Sequence, residues 1–288
     1  MVDSGESVQQ GQTLGEMVQF GIASLALTSS SPALDSELLL AHTASCERSV
    51  IRAFPERIVE PAAKAAYERL IERRRDGEPV AYLLGQREFY SLPIRVSAAV
   101  LVPRPETELL VDTALSYLPL ETSQAVLDVG TGSGAVALAI KHERPAARVV
   151  GVDVSADALA VAAINASALG LDIELLESSW FDALGTRRFA FIVANPPYVE
   201  TGDPVLEAAL RHEPRLALDG GPDGLDPVRA IFRNAPSHLL DGAWLLVEHG
   251  DTQGERVRQL AAAHGYRNVR TLKDLTGRDR AVLADRAR

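Results

Sequence analysis

Nine residues, Val126-Leu127-Asp128-Val129-Gly130-Thr131-Gly132-Ser133-Gly134, constrain this chain more than any others. An apolar run stops abruptly in three glycines spaced two apart, and Ala135 to Ile140 follows with good helix propensity. That order predicts a buried strand, a tight turn and a helix start. Glycine-rich turns of this kind serve several unrelated ligands or none, so the neighbouring residues must decide what the turn does.

The next apolar segment, Ala147 to Val152, predicts a second strand that ends in Asp153, with Ser155 placed to cap a helix over Ala156 to Leu169. An acid at that strand tip, 23 residues beyond Gly130, has the spacing of a carboxylate that accepts both hydroxyls of a ribose. An adenosine-containing cofactor follows. A dinucleotide nest needs two residues between its second and third glycines, whereas here Gly130, Gly132 and Gly134 alternate. Asp128 at the loop edge would repel a pyrophosphate but faces an ammonium favourably, alongside a capping role in the loop. Both features favour S-adenosylmethionine over NAD.

Leu171 to Leu176 predicts a third strand, followed by Ser178-Ser179-Trp180; the Trp180 ring either packs on an adenine or plugs the sheet edge. A fourth strand, Phe189 to Ala194, runs directly into Asn195-Pro196-Pro197-Tyr198. Beyond the carboxyl end of a strand beside the glycine strand, such a segment overlooks the cofactor crevice. The two prolines hold the chain extended, so the carbonyls of Asn195 and Pro196 point at one guest, and the Asn195 side chain adds an acceptor. Paired acceptors suit a planar NH2 group, over which Tyr198 can lie flat. The chemistry implied is in-line methyl transfer from a sulfonium to nitrogen. Fixed acceptors on both N–H groups enrich the nitrogen and stabilise the charge that develops, without need of a metal, a nucleophilic cysteine or a catalytic histidine.

Ahead of the glycine loop, Thr13–Leu27, Asp35–Thr43, Ser49–Phe54 and Pro61–Arg75 read as four short helices. With 9 Lys or Arg against 13 Asp or Glu up to Glu88, this part is no nucleic-acid arm. Glu88 to Leu101 predicts a hairpin. Pro103-Arg104-Pro105-Glu106-Thr107-Glu108 then enters a helix over Leu109–Leu118; its acids either cap that helix or form part of a pocket wall.

After Glu200 an ordered excursion is expected up to Gly224, in which Glu213 and Arg215 either orient a substrate or form an internal salt link. Then come a helix over Pro227–Leu240, a strand at Trp244–Glu248, a helix at Glu255–His264, and two strands at Arg267–Leu272 and Ala281–Ala284 joined by a turn at Gly277-Arg278-Asp279-Arg280. His249 is expected to be structural.

The glycine loop, Asn195-Pro196-Pro197-Tyr198 and Pro103-Arg104-Pro105-Glu106-Thr107-Glu108 together resemble the HemK/PrmC family of protein-(glutamine-N5) methyltransferases. Glu78 to Gly85, Glu213 to Gly224 and Glu248-His249-Gly250 match as well. The resemblance implies an α/β fold: a Rossmann-like, seven-stranded class I S-adenosylmethionine-dependent methyltransferase domain, its last strand antiparallel, with a small N-terminal helical bundle. It divides the chain into a flexible leader (1–11), a helical substrate-recognition domain (12–86), a hairpin linker (87–102) and the methyltransferase domain (103–288). The substrate it implies is the glutamine of the Gly-Gly-Gln loop in peptide-chain release factors. Asn195, Pro196 and Tyr198 would be catalytic, and with Pro197 they would hold the glutamine. Asp128, Gly130, Thr131, Gly132, Gly134, Asp153, Ser179, Trp180 and Asn195 would bind the donor. Ser179 stands where the family commonly has Asp, so a carboxylate contact to the adenine amine would be missing.

The strongest rival is a methyltransferase acting on the exocyclic amine of adenine in DNA or RNA, which would flip its base into the same slot. A net charge of -10 opposes it, as does the need for a basic surface. A non-catalytic adaptor would usually have lost Asn195 or the glycines. The single cysteine, Cys46, gives no disulfide framework or cysteine zinc cluster, and neither a secretory signal nor a membrane-length apolar run is evident. A cytoplasmic monomer that binds neither DNA nor membrane is expected.

Overall fold

Thr13 starts the first helix through a reciprocal cap: its hydroxyl accepts from the Glu16 amide at 3.2 Å, and the Glu16 carboxylate accepts from the Thr13 amide at 2.8 Å. A computed structural model describes residues 11–286. Residues 1–10 of the expected leader lie outside the described residues. Two units divide after Leu84.

The first unit is helical: α1 (Leu14–Leu25), α2 (Pro32–Thr43), α3 (Arg48–Ala53), α4 (Pro61–Arg75) and α5 (Val80–Leu84). Four of these match the sequence expectation within a few residues; α5 was not anticipated. Met17, Leu25, Leu39, Leu40, Tyr67 and Ile71 form its core. Gly21 lies where a Cβ would sit 1.9 Å from the Tyr67 hydroxyl, so a side chain there would drive α1 off α4. The Tyr67 hydroxyl reaches the Ser36 hydroxyl at 2.7 Å and donates to the Met17 carbonyl at 3.1 Å.

The second unit opens with a hairpin, β1 (Gln86–Phe89) and β2 (Leu92–Arg95), turned by Tyr90 and Ser91, both at positive φ. A 3-10 turn at Pro105–Thr107 leads into α6 (Glu108–Tyr117). Alternating elements then build the main sheet: β3 (Ala125–Val129), α7 (Ala135–Glu143), β4 (Arg148–Asp153), α8 (Ala156–Leu169), β5 (Glu174–Glu177) and β6 (Phe189–Ala194). They are followed by α9 (Pro204–Ala209), α10 (Asp226–Asn234), β7 (Leu239–Glu248), α11 (Gly254–Ala263), β8 (Tyr266–Lys273) and β9 (Asp279–Arg286). The seven strands order as β5-β4-β3-β6-β7-β9-β8, and β9 runs antiparallel to both neighbours, as anticipated. Leu127, Ile192, Leu245 and Val282, from four adjacent strands, are buried in one core with Phe232 of α10.

Four expectations shift. The third sheet strand starts at Glu174 rather than Leu171. The helix expected over Pro227–Leu240 ends at Asn234, because Pro236 cannot continue the hydrogen-bond ladder; a 3-10 turn takes over at Ala235–His238. The next strand begins at Leu239, ahead of Trp244, through an irregular register opposite Phe189 and Phe191. The final hairpin turns at Asp274 to Gly277, where the Asp274 carboxylate accepts from the amides of Thr276 and Arg278, so Asp279 and Arg280 already belong to β9. Among the described residues no helix is long and apolar enough to cross a membrane.

Candidate active site

At the end of β3 the chain turns through Gly130, Gly132 and Gly134 at φ of 74, 55 and 81°, a left-handed region that other residues enter only with strain. The amides of Gly130 and Thr131 both donate to the Val152 carbonyl at 2.9 Å, which locks the loop to β4. Asp128 is 2% exposed; its Oδ2 accepts from the Thr131 hydroxyl at 2.7 Å and from the Ala137 amide at 3.2 Å, so it caps α7 from the strand. Burial raises the Asp128 carboxyl to about 6, against the pull of those two donors. Asp153, at the tip of β4, takes the Gly132 amide on Oδ2 and the Ser155 amide on Oδ1, both at 2.9 Å. Each oxygen keeps a lone pair for a further donor.

The loop, Asp153 and the end of β6 surround one cavity of about 500 Å³, within the range of cofactor-sized ligands. Asp128, Gly130, Thr131, Gly132, Asp153, Ser179, Trp180, Asn195 and Pro197 line it; Gly134, Pro196 and Tyr198 do not. Gly134 acts from behind, since its left-handed turn starts α7 and a Cβ there would meet Ala162 and Leu138 at 3.2 Å. Trp180 lines the cavity and packs against the sheet core. Ser178, beside Ser179, is a turn residue whose hydroxyl accepts from the Ala183 amide.

The entry segment to α6 is a wall, but not through its acids. Leu101, Pro103, Arg104 and Thr107 line the cavity, whereas Glu106 and Glu108 do not. Glu108 accepts from the Tyr90 amide at 2.8 Å and braces the hairpin turn. Glu213, 7% exposed, pairs with Arg104 at 2.6 Å and accepts from the Val102 amide, so it is an internal salt link. Arg215 pairs with Asp219 at 2.7 Å, and the turn Pro214 to Ala217 closes another side of the cavity.

Three residues were given no role in the reading of the sequence, although Thr107 and Glu248 stand in its motifs. Thr107, 4% exposed, receives the Asn195 Nδ2 donor on its hydroxyl at 3.1 Å, which leaves the Asn195 Oδ1 as the acceptor at the cavity wall. Asn165, buried on α8, bonds both backbone groups of Arg95 and the Ser133 carbonyl, tying the hairpin to the glycine loop. An amide side chain in the otherwise small and apolar run Ala162 to Ala166 was the signal for it. Glu248, at the end of β7, is 1% exposed with neither oxygen paired, and burial pushes its carboxyl up to about 7. His249 is fully buried, with Nδ1 on the Gly250 carbonyl at 2.7 Å, and burial holds its pKa down, as suits a structural role.

The cavity fits S-adenosylmethionine on its own chemistry. Two carboxylates favour a ligand of net positive charge, Trp180 adds an aromatic ring to the lining, and the glycines admit backbone close to the ligand.

Comparison with known proteins agrees with this geometry. The model of the PrmC N-terminal domain matches residues 16–85, and that of the methyltransferase small domain matches residues 106–221. A release factor glutamine methyltransferase of Pseudomonas aeruginosa is 50% identical over 257 residues, which is 88% of this chain and 93% of the relative. One from Escherichia coli is 44% identical over 257 residues, 88% of this chain and 92% of the relative. Among solved structures, a Thermus thermophilus 16S rRNA methyltransferase superimposes with a TM-score of 0.53 at 20% identity, over 70% of this chain and 50% of that one. That likeness concerns the fold alone. The identities across nearly the whole chain, joined to a glycine loop and to Asn195 and Pro197 of an Asn-Pro-Pro-Tyr segment at one cavity, place this protein in the HemK/PrmC family of release factor glutamine methyltransferases.

Proposed function

We infer that this protein transfers a methyl group from S-adenosylmethionine to the side-chain amide nitrogen of the glutamine in the Gly-Gly-Gln loop of peptide-chain release factors. The observation that carries the reading is the fixed Asn195 amide: its NH2 is committed to Thr107, so its oxygen faces an incoming N–H. The bound donor supplies a methyl group on a sulfonium; the amide nitrogen forms the new C–N bond as the C–S bond breaks, and one amide proton is lost.

The Asn195 Oδ1 and the Pro196 carbonyl each accept one N–H of the glutamine amide, hold its nitrogen in line and stabilise positive charge as it develops. Pro197 keeps that segment extended, and Tyr198 packs on the planar amide. Asp153 takes the ribose hydroxyls, Asp128 faces the ammonium, Gly130, Thr131 and Gly132 carry the methionine end, and Gly134 sets the loop. Ser179 and Trp180 border the adenine. Residues 12–86 recognise the substrate, a role supported by the match to the PrmC N-terminal domain. The protein works as a cytoplasmic monomer without contacting DNA or membrane, in keeping with its acidic charge.

The test is mass spectrometry of purified release factor incubated with the protein and S-adenosylmethionine, with Asn195→Ala in parallel. One added methyl on the Gly-Gly-Gln glutamine is expected, formed at least ~100-fold more slowly by the variant. Unmodified release factor with labelled methyl in nucleic acid would establish the adenine-amine reaction instead.

A further inference from the structure

Among the described residues Glu248, His249 and Asp285 bury side-chain atoms without a hydrogen-bond partner, and of these Glu248 alone leaves both carboxylate oxygens so. It ends β7 beside the loop that follows β6, it is 1% exposed, and neither Oε1 nor Oε2 meets hydrogen-bond geometry with any described group. Buried carboxylates are ordinarily paired. The charged groups that face it are Arg280, Arg104, Glu106 and Tyr198. Both cations are committed elsewhere: Arg280 lies 3.1 Å from Asp274, and Arg104 lies 2.6 Å from Glu213. Glu248 is therefore not half of an ion pair.

The Thr107 hydroxyl lies near enough to favour the ionised carboxyl, outside full hydrogen-bond geometry. Thr107 already accepts from the Asn195 Nδ2 at 3.1 Å. A hydroxyl has one proton to give and lone pairs to receive with, so the direction of its proton decides what it offers on the other side. With Glu248 ionised, the Thr107 proton turns to the carboxylate and the lone pairs hold the Asn195 NH2, leaving the Asn195 oxygen toward the substrate. With Glu248 neutral, the acid proton can be given to Thr107, whose own proton is then free to seek the Asn195 oxygen. The Asn195 amide would turn over and present donors to a substrate amide that needs acceptors.

We propose that Glu248 is a positioning residue for the methyl transfer, acting through the Thr107 hydroxyl to fix which end of the Asn195 amide faces the glutamine. The proposal rests on the reading of Asn195 as the amide acceptor. It assigns no contact between Glu248 and substrate or donor, and it gives an unpaired buried acid a use that packing does not explain.

The experiment measures kcat and KM on release factor between pH 5.5 and 9 for the wild type, Thr107→Val, Glu248→Gln, Glu248→Leu and the double variant Thr107→Val with Glu248→Leu. Donor binding by calorimetry and thermal melts accompany each. The wild-type kcat is expected to rise with pH through about 7, the level to which burial lifts Glu248. In Glu248→Gln, which keeps an acceptor but does not titrate, that rise is absent. Thr107→Val and Glu248→Leu each lower kcat about tenfold or more with KM for the donor within about threefold, and the double variant loses no more than the worse single one, as residues acting in one chain do. If Glu248→Leu does not fold, Glu248→Gln and Thr107→Val decide the matter. A wild-type pH rise retained in Glu248→Gln, or losses that multiply in the double variant, overturn the proposal alone. A wild-type protein that leaves the Gly-Gly-Gln glutamine unmethylated overturns the reading beneath it.

Discussion

Replacing Glu248 by Gln should stabilise the fold at alkaline pH and have little effect in acid. Burial lifts the carboxyl from its ordinary 4.5 to about 7, so folding opposes its ionisation. Below pH 4.5 the group is protonated in both states and contributes no penalty. As pH rises from 4.5 toward 7 the unfolded chain ionises freely while the folded one resists, and stability is lost until the folded group also ionises. At about 1.4 kcal/mol per pH unit, the full penalty above pH 7 has a ceiling of about 3 kcal/mol, and at pH 5 it is under about 1 kcal/mol. Gln matches the neutral acid in shape and escapes the penalty, though its own NH2 is then buried, which trims the gain. For a unit of this size each kcal/mol moves the midpoint by about 2–4 °C, so the variant should melt higher at pH 8 by at most roughly 6–12 °C. Thermal unfolding of both proteins by circular dichroism at pH 5, 6, 7 and 8 measures it. Asp128 titrates in both proteins, so the difference between them isolates Glu248. A difference that does not grow with pH, or a variant less stable than the wild type at pH 8, would refute the reasoning.

Gly132→Ala forces an L side chain to φ 55° with nothing within 4 Å of its Cβ, a loss of about 1–2 kcal/mol, whereas at Gly134 the same strain is joined by contacts at 3.2 Å to Ala162 and Leu138. Urea unfolding should therefore show Gly134→Ala about twice as costly, and equal losses would contradict the packing. Asn165→Leu removes three hydrogen bonds to Arg95 and Ser133 and strands buried backbone groups, so a loss of at least about 3 kcal/mol is expected; under about 1 kcal/mol would mean the hairpin does not depend on it. Donor affinity by calorimetry should fall by up to about tenfold per pH unit below about 6, because a cationic ligand favours ionised Asp128 and must displace its proton. Asp128→Asn should bind more weakly and without that pH dependence, and an affinity that stays level in the wild type from pH 5 to 7.5 would remove Asp128 from the donor's surroundings.

The parts of the fold that were legible are those where a local signal and the tertiary solution agree. Pro61 sets the start of α4, Ser155 caps α8 by accepting from the Ala158 amide at 3.2 Å, and Phe189 to Ala194 is apolar enough to be buried on both faces. Less legible were the places where a distant partner overrides local preference. Tyr90 and Ser91 form a positive-φ turn with neither glycine nor asparagine, held by Glu108 and by a Tyr90 hydroxyl bond to Asp112. The apolar stretch from Leu171 pairs with β4 only from Glu174 onward. In the site, the strand-tip acids and the Asn-Pro-Pro-Tyr segment announce themselves by residue type. Thr107 does not, because its meaning lies in a bond to a residue 88 positions away.

Several strained, buried or unsatisfied groups of the second unit lie at the carboxyl ends of its parallel strands: left-handed Gly130 and Gly132 after β3, Trp180 at φ 52° after β5, buried Asp128 in β3 and unpaired Glu248 in β7. Just behind them, β3, β6 and β7 are buried along most of their length, and that apolar centre supplies the stability that such features consume. The division has a chemical reason. A transfer that uses neither a covalent intermediate nor a side-chain nucleophile depends on where fixed dipoles point, and a dipole is fixed only if its own partners are. Asn195 alone can present either end of its amide. A hydroxyl behind it, and an acid behind that hydroxyl, select one end, and the ionised acid is the form that does so. On this argument any change that favours the carboxylate, such as freeing Arg280 by Asp274→Ala, should extend the ionised form to lower pH and move the rise in kcat below pH 7, which the same pH profile of kcat measures.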